Sequence, residues 1–126
     1  MNIVLWVIAG LLAAAFLMSG AMKVVQSREK LIASGMGWAE DFPPGGITAI
    51  GILEVLGAIG LILPAVTGVA PILVPFAATG LALVMAGAMV VHARRRELPM
   101  LAVNAVLLIL AAVVAWGRFG PYAFSA

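Results

Sequence analysis

The sequence predicts an all-α fold, an integral membrane four-helix bundle, and three observations carry that expectation. Apolar residues make up 65% of the 126-residue chain and charged residues only 10%, against roughly 25% charged in soluble domains. Four apolar stretches approach or exceed the length a helix needs to cross a bilayer, about 20 residues. The basic residues gather in two of the connections between those stretches. A chain of 126 residues is one transmembrane domain, residues 1–126, and too short for two.

The first helix is expected at about 2–22, with Trp6 near one boundary. Ser19-Gly20-Ala21 faintly resembles a signal cleavage site. No Lys or Arg precedes the apolar run, however, and the run is long, so the segment reads as a retained helix. The connection at 23–45 is too long for a tight hairpin. In it Val24, Val25, Leu31 and Ile32 are mixed with Arg28, Glu29 and Lys30, a composition that suits a short interfacial helix. Residues 35–44 then read as a structured loop, or alternatively as a lid over the mouth of a pocket. Asp41 is placed to cap the second helix, with Pro43 and Pro44 entering it. That helix is expected at 46–63, at the short limit for a span, with Pro64 marking its end and Thr67-Gly68 turning the chain. The third helix is expected at 70–91, with Pro71 and Pro75 near its start. The fourth is expected at 99–116, with Pro99 in its first turn.

Charge placement predicts topology. Lys23, Arg28, Lys30, Arg94, Arg95 and Arg96 are six of the seven basic side chains and all fall in connections on one side. The positive-inside rule therefore puts the loops at 23–45 and 92–98 in the cytoplasm and both termini outside, in a multi-pass protein of the cell membrane. Arg94, Arg95 and Arg96 read first as this anchor and second as contacts to anionic lipid headgroups. Trp38 and Phe42 sit on the inner side, Trp116 and Tyr122 on the outer. Arg118 also stands outside, as an interfacial anchor or a contact to lipid phosphate or a partner subunit. A parallel helix-hairpin duplication is suggested by Gly20-Ala21-Met22 and Gly87-Ala88-Met89, with Val24, Arg28 and Leu31 matching Val91, Arg95 and Leu98 at the same offset.

Glu54 is the residue most in need of explanation. A carboxylate in mid-span is costly unless a partner, a proton or water reaches it. Its helix face also carries Gly51, Gly57, Ala58 and Leu61, small residues that point inward rather than at lipid. Counting from Gly46, it lies roughly 12 Å into the membrane at a rise of ~1.5 Å per residue. Asn104 lies at comparable depth, and Lys23 and His92 end the first and third helices on the same side. These four are the candidates for a ligand or proton site, with a bundle-locking hydrogen bond as the bland alternative. Ser19, Thr48 and Thr79 fall outside this grouping. No catalytic nucleophile–base pair is readable. One His, one internal Glu and the absence of Cys argue against a metal site and against thiol redox chemistry by the chain itself. The basic clusters lack the polar and aromatic company that nucleic-acid binding needs.

Once lined up, these residues resemble the DoxX-like family of small membrane proteins over nearly the whole chain. The resemblance rests on Ser19-Gly20-Ala21-Met22-Lys23, Lys30-Leu31, the loop from Gly37 to Phe42, the run from Gly51 to Gly57, and Trp116-Gly117-Arg118-Phe119-Gly120. It implies a four-helix membrane protein with Lys23, Glu54 and Arg118 at characteristic positions. It also implies a link to membrane redox complexes, since the family name derives from a small subunit of a thiosulfate:quinone oxidoreductase. The leading expectation is a non-catalytic subunit or lipid- or quinone-binding scaffold. The alternatives are an anchor taking part directly in quinone-linked oxidoreduction, or a small transporter when oligomeric. The expected company is membrane lipid, a soluble redox subunit and further copies of the chain, with no cofactor beyond a bound quinone or lipid. A quinone-handling subunit predicts a side opening into the bilayer near Glu54; a scaffold predicts a closed bundle.

Overall fold

A computed structural model of the chain describes residues 1–124. Its elements in order are α1 (Asn2–Val25), α2 (Arg28–Ala33), a 3-10 turn (Gly37–Asp41), α3 (Pro44–Thr67), α4 (Leu73–Arg94) and α5 (Leu98–Phe119). Among the described residues, α1, α3, α4 and α5 are long and apolar enough to cross a membrane. The protein is an all-α, multi-pass membrane bundle.

Helix ends differ from expectation mainly around the prolines. α3 has 24 residues, so it is not at the short limit. It starts at Pro44, where the missing N–H costs nothing because the first-turn donors have no intrahelical partner. Asp41 does not cap it; Pro43, in extended conformation, is the N-cap residue. Pro64 lies inside the helix rather than ending it. The turn it weakens is carried three residues further and closed by Gly68, at φ 73°, whose N–H bonds to the Pro64 carbonyl. A left-handed residue just past the last turn is the usual helix stop, and glycine takes it without strain. α4 begins at Leu73, later than the expected 70, because Ala70 is itself at φ 48° and breaks helical geometry.

The four long helices form a ring in which α1 packs on α3, α3 on α4, α4 on α5, and α5 more lightly on α1. Buried residues of α3 fall at Ile47, Gly51, Glu54, Ala58, Leu61 and Pro64, a single stripe at three- and four-residue spacing. Leu12, Phe16, Ala58, Leu81, Met85 and Val114 fill the centre. Long aliphatic side chains such as Ile3, Leu11, Leu53 and Leu83 are exposed on the outside, as lipid-facing positions should be.

Small residues set the crossings. A Cβ on Gly20 would stand 2.6 Å from the Gly51 carbonyl oxygen, and one on Gly51 would stand 2.8 Å from the Gly20 oxygen. The backbones of α1 and α3 therefore touch, an approach only glycine permits, and dispersion forces gain from it in a bilayer. Gly57 receives Leu81 of α4, and Gly117 receives Leu5 of α1. The sequence-matched Gly20 and Gly87 differ sharply in setting. Gly20 is at this helix crossing, whereas a Cβ on Gly87 would meet nothing within 4 Å.

Candidate functional site

The Gly20–Gly51 contact fixes the chemistry at the end of the bundle that carries α2 and the 3-10 turn, called here the loop end. Three residues beyond each glycine come Lys23 and Glu54, and the close approach of the backbones brings their side chains together. Lys23 Nζ forms a salt bridge with Glu54 Oε1, with the two side chains 10% and 1% exposed. The ammonium also donates to Ser19 Oγ at 2.9 Å and lies 5.4 Å from the centroid of the Trp38 ring. The Glu54 side chain is thus paired with Lys23 rather than with Asn104 or a helix carbonyl. Opposite charges this well buried attract strongly, but the attraction mostly offsets desolvation.

A cavity of about 570 Å³ lies beside this pair, between the α1–α3 and α4–α5 hairpins. Its walls are apolar, with Phe16, Met36, Phe42, Met85 and Leu107 among them, and its polar groups are Ser19, Lys23, Glu54, His92, Asn104 and the Trp38 indole. Leu83, Met100 and Val103 also line it while being 68%, 44% and 50% exposed on spanning helices. The cavity therefore meets the apolar exterior sideways.

Asn104 lines the cavity at 6% exposure. Its Nδ2 has no hydrogen-bond partner among the described residues. An enclosed carboxamide without a partner is rare, because its desolvation goes uncompensated.

Under the cavity, Trp38 stands edge-on to His92 at 6.4 Å and to Phe42 at 5.7 Å. The 3-10 turn that presents it is held by Arg28. Its Nε donates to the carbonyls of Ala39 (3.1 Å) and Phe42 (3.0 Å), and its Nη2 to that of Glu40 (2.9 Å). Arg95 Nη1 donates to Asp41 Oδ2 at 3.2 Å, tying the turn to the α4–α5 connection. That bond holds the Arg95 guanidinium above its ordinary value, against a smaller opposing effect of desolvation. His92, 4% exposed, places Nδ1 2.9 Å from Glu97 Oε1. Between them Arg96 takes φ 57°, unfavourable for a residue with a Cβ, and the turn is closed by a 2.9 Å bond from the Glu97 N–H to the His92 carbonyl.

Glu54, Lys23, Asn104, His92 and Trp38 come together here. Arg94 and Arg96 are exposed at the loop end and take no part, so the arginine triplet divides, with Arg95 alone engaged. Arg118 lies at the opposite end and, at 3% exposure, is buried rather than displayed at the interface. Its Nη1 donates to Asn2 Oδ1 at 2.6 Å and to the Tyr122 carbonyl at 3.0 Å. Its guanidinium lies 3.9 Å from the centroid of Phe124 and 5.9 Å from that of Trp6. Sequence reasoning set Ser19 apart from the cluster and overlooked Glu97. The first was recoverable, since Ser19 precedes Lys23 by one helical turn; the second depends on the Arg96 turn, which spacing alone does not reveal. Among the described residues, no group of three or more His, Asp or Glu side chains gathers in a way that could hold a metal ion.

The family model of the DoxX-like family matches residues 7–114, which takes in the whole loop-end cluster and leaves Arg118 outside. Neither the curated proteins nor the solved structures returned a match to the chain.

Proposed function

Starting from a chain that belongs to the DoxX-like family and crosses the membrane four times, we propose that it is a non-catalytic membrane subunit that holds a lipid-soluble amphipathic molecule, a quinone or a lipid, in the loop-end cavity. The observation that carries this reading is Asn104, buried in a largely apolar cavity with its Nδ2 unpartnered among the described residues. A concave apolar volume of several hundred Å³ with a few convergent polar groups is the usual form of a small-molecule site. The exposed Leu83, Met100 and Val103 on its wall give such a molecule an entrance from the bilayer and a place for its tail. Lys23 and Glu54 neutralise one another, which suits an uncharged headgroup and makes the pair an anchor for the site.

The distribution of basic residues supports a cytoplasmic loop end and external termini. In that orientation the exposed Arg94 and Arg96 face anionic headgroups and any soluble redox subunit that receives or supplies the ligand. Association of further copies of the chain is compatible with this role.

The test is purification in native-lipid discs, followed by mass spectrometry of bound small molecules and proteins for the wild type, Asn104→Leu and Glu54→Gln. The wild type is expected to retain a lipid-soluble molecule at near-stoichiometric level, and Asn104→Leu to lose it while remaining folded. Equal small-molecule content in the wild type and a folded Asn104→Leu overturns the proposal.

A further inference from the structure

The identity of the ligand's headgroup can be taken further from the far side of the cavity, where a buried imidazole stands between the ligand space and water. We propose that the cavity takes a lipid-soluble hydroxyaromatic compound, of phenol type, whose O–H is accepted by His92 Nε2, with Glu97 supporting the imidazolium from the water side. This inference rests on the reading of the cavity as a ligand site and adds to it the chemical class of the ligand and a role for two residues.

The tautomer follows from the pairing. An ionised carboxylate only accepts hydrogen bonds, so His92 Nδ1, 2.9 Å from Glu97 Oε1, carries the proton. With Nδ1 engaged, Nε2 is left with its lone pair as an acceptor, on a side chain that lines the cavity. A carboxylate behind an imidazole both orients the ring and stabilises the charge that appears when the ring gains a proton. The balance is simple: the ligand O–H bond breaks, an Nε2–H bond forms, and the ligand oxygen keeps the electron pair. Glu97 is 27% exposed, so the resulting charge pair has contact with water.

The other charged and titratable groups around His92 are already committed. Arg95 is ion-paired with Glu97 (Nε to Oε1, 3.6 Å), its Nε without a hydrogen bond among the described residues, and its Nη1 donates to Asp41. Across the cavity Lys23 is paired with Glu54, and α5 contributes the neutral Asn104. His92 is thus the base left available to the ligand. An aromatic ring is favoured by the walls: Phe16, Trp38 and Phe42, with the thioethers of Met36, Met85 and Met100. Flat π-systems pack well against aromatic edges and against sulfur. Asn104 can serve a second oxygen on the same ring.

The probe is an alkyl-substituted 4-nitrophenol, with its O-methyl ether as a second ligand, bound to the full-length protein in lipid nanodiscs. Nitrophenolate absorbance reads the protonation of the bound probe directly. In the wild type the bound nitrophenol is expected to ionise about one pH unit lower than in His92→Gln, a roughly tenfold higher phenolate-to-phenol ratio at fixed pH. Glu97→Gln, which keeps the imidazole, is expected to lie between them and serves as the variant to rely on if His92→Gln does not fold. Binding of the nitrophenol and its ether alike, with the nitrophenol ionising identically in the wild type and every folded variant, overturns this inference and leaves the cavity reading standing. If neither probe binds above empty nanodiscs and native-lipid discs yield no lipid-soluble ligand, the cavity reading fails and this inference falls with it.

Discussion

Substituting Lys23 with Met removes the only charge paired with Glu54 among the described residues, and the outcome can be worked out from their burial. The Glu54 side chain is 1% exposed and that of Lys23 10%, so neither ion recovers hydration when the other is lost. Breaking a buried pair by deleting one partner costs about 3–5 kcal/mol, and Lys23→Met should fall in that range. Glu54→Gln is milder, because its amide oxygen still accepts from the ammonium, and Lys23 keeps Ser19 and Trp38; a loss of about 1–3 kcal/mol is expected. The double variant Lys23→Met/Glu54→Met should recover most of the loss, since well-packed apolar residues often replace a buried pair without penalty or with a gain of about 1–4 kcal/mol. Reversible unfolding in mixed micelles, read by tryptophan fluorescence, gives these values, and the Glu54→Met single variant added to the set closes the cycle that yields the coupling energy. Single-variant losses below about 0.5 kcal/mol that add in the double variant, as independent sites do, would show that the pair is solvated and that the reasoning from burial is wrong.

Gly20→Ala should destabilise by about 1–3 kcal/mol, as overpacking does, because its Cβ meets the Gly51 carbonyl oxygen at 2.6 Å. Gly10→Ala, whose Cβ meets nothing within 4 Å, should be neutral or slightly stabilising in the same unfolding assay. Asn104→Leu should raise the stability of the ligand-free protein by about 1 kcal/mol, by removing an uncompensated buried amide, even as it weakens ligand retention. Arg28→Ala removes three bonds to loop carbonyls and should speed amide hydrogen exchange over residues 37–42 by about tenfold, since ~1.4 kcal/mol of lost protection corresponds to that factor. Exchange in α3 should not change.

The spans were legible because bilayer thickness and backbone hydrogen bonding leave a chain this apolar few alternatives. The positions of Lys23, Glu54, His92 and Asn104 near one end were also legible, because depth along a helix is a matter of counting residues. Which of them would touch was not. Lys23 meets Glu54 because Gly20 and Gly51 bring two backbones into contact, and a crossing point is a property of two helices together. Pro64 ended α3 too early in the sequence reading because local propensity is overridden once packing and a glycine stop hold the next turn. Trp38 read as an interfacial aromatic because neither its loop nor the Arg28 bonds that fold it inward leave a periodic signal. Arg118 read as a surface anchor because burial by Asn2, Trp6, Tyr122 and Phe124 gathers residues from both ends of the chain.

The Lys23–Glu54 contact also bears on how the protein enters its membrane. α1 leaves the ribosome before α3, and by itself it offers only Ser19 to the Lys23 ammonium. α3 follows with a carboxylate in mid-span, where an unpaired acidic residue raises the insertion free energy by about 2.5–3.5 kcal/mol. Each helix therefore carries a defect that the other cancels, and the glycines that let them touch lie one turn away. α3 should partition into lipid most readily as the second arm of a hairpin with α1 already waiting beside it. Synthesis order and bundle architecture then become one problem: a change at Gly20 would alter how the second span is delivered, as well as how the finished bundle packs.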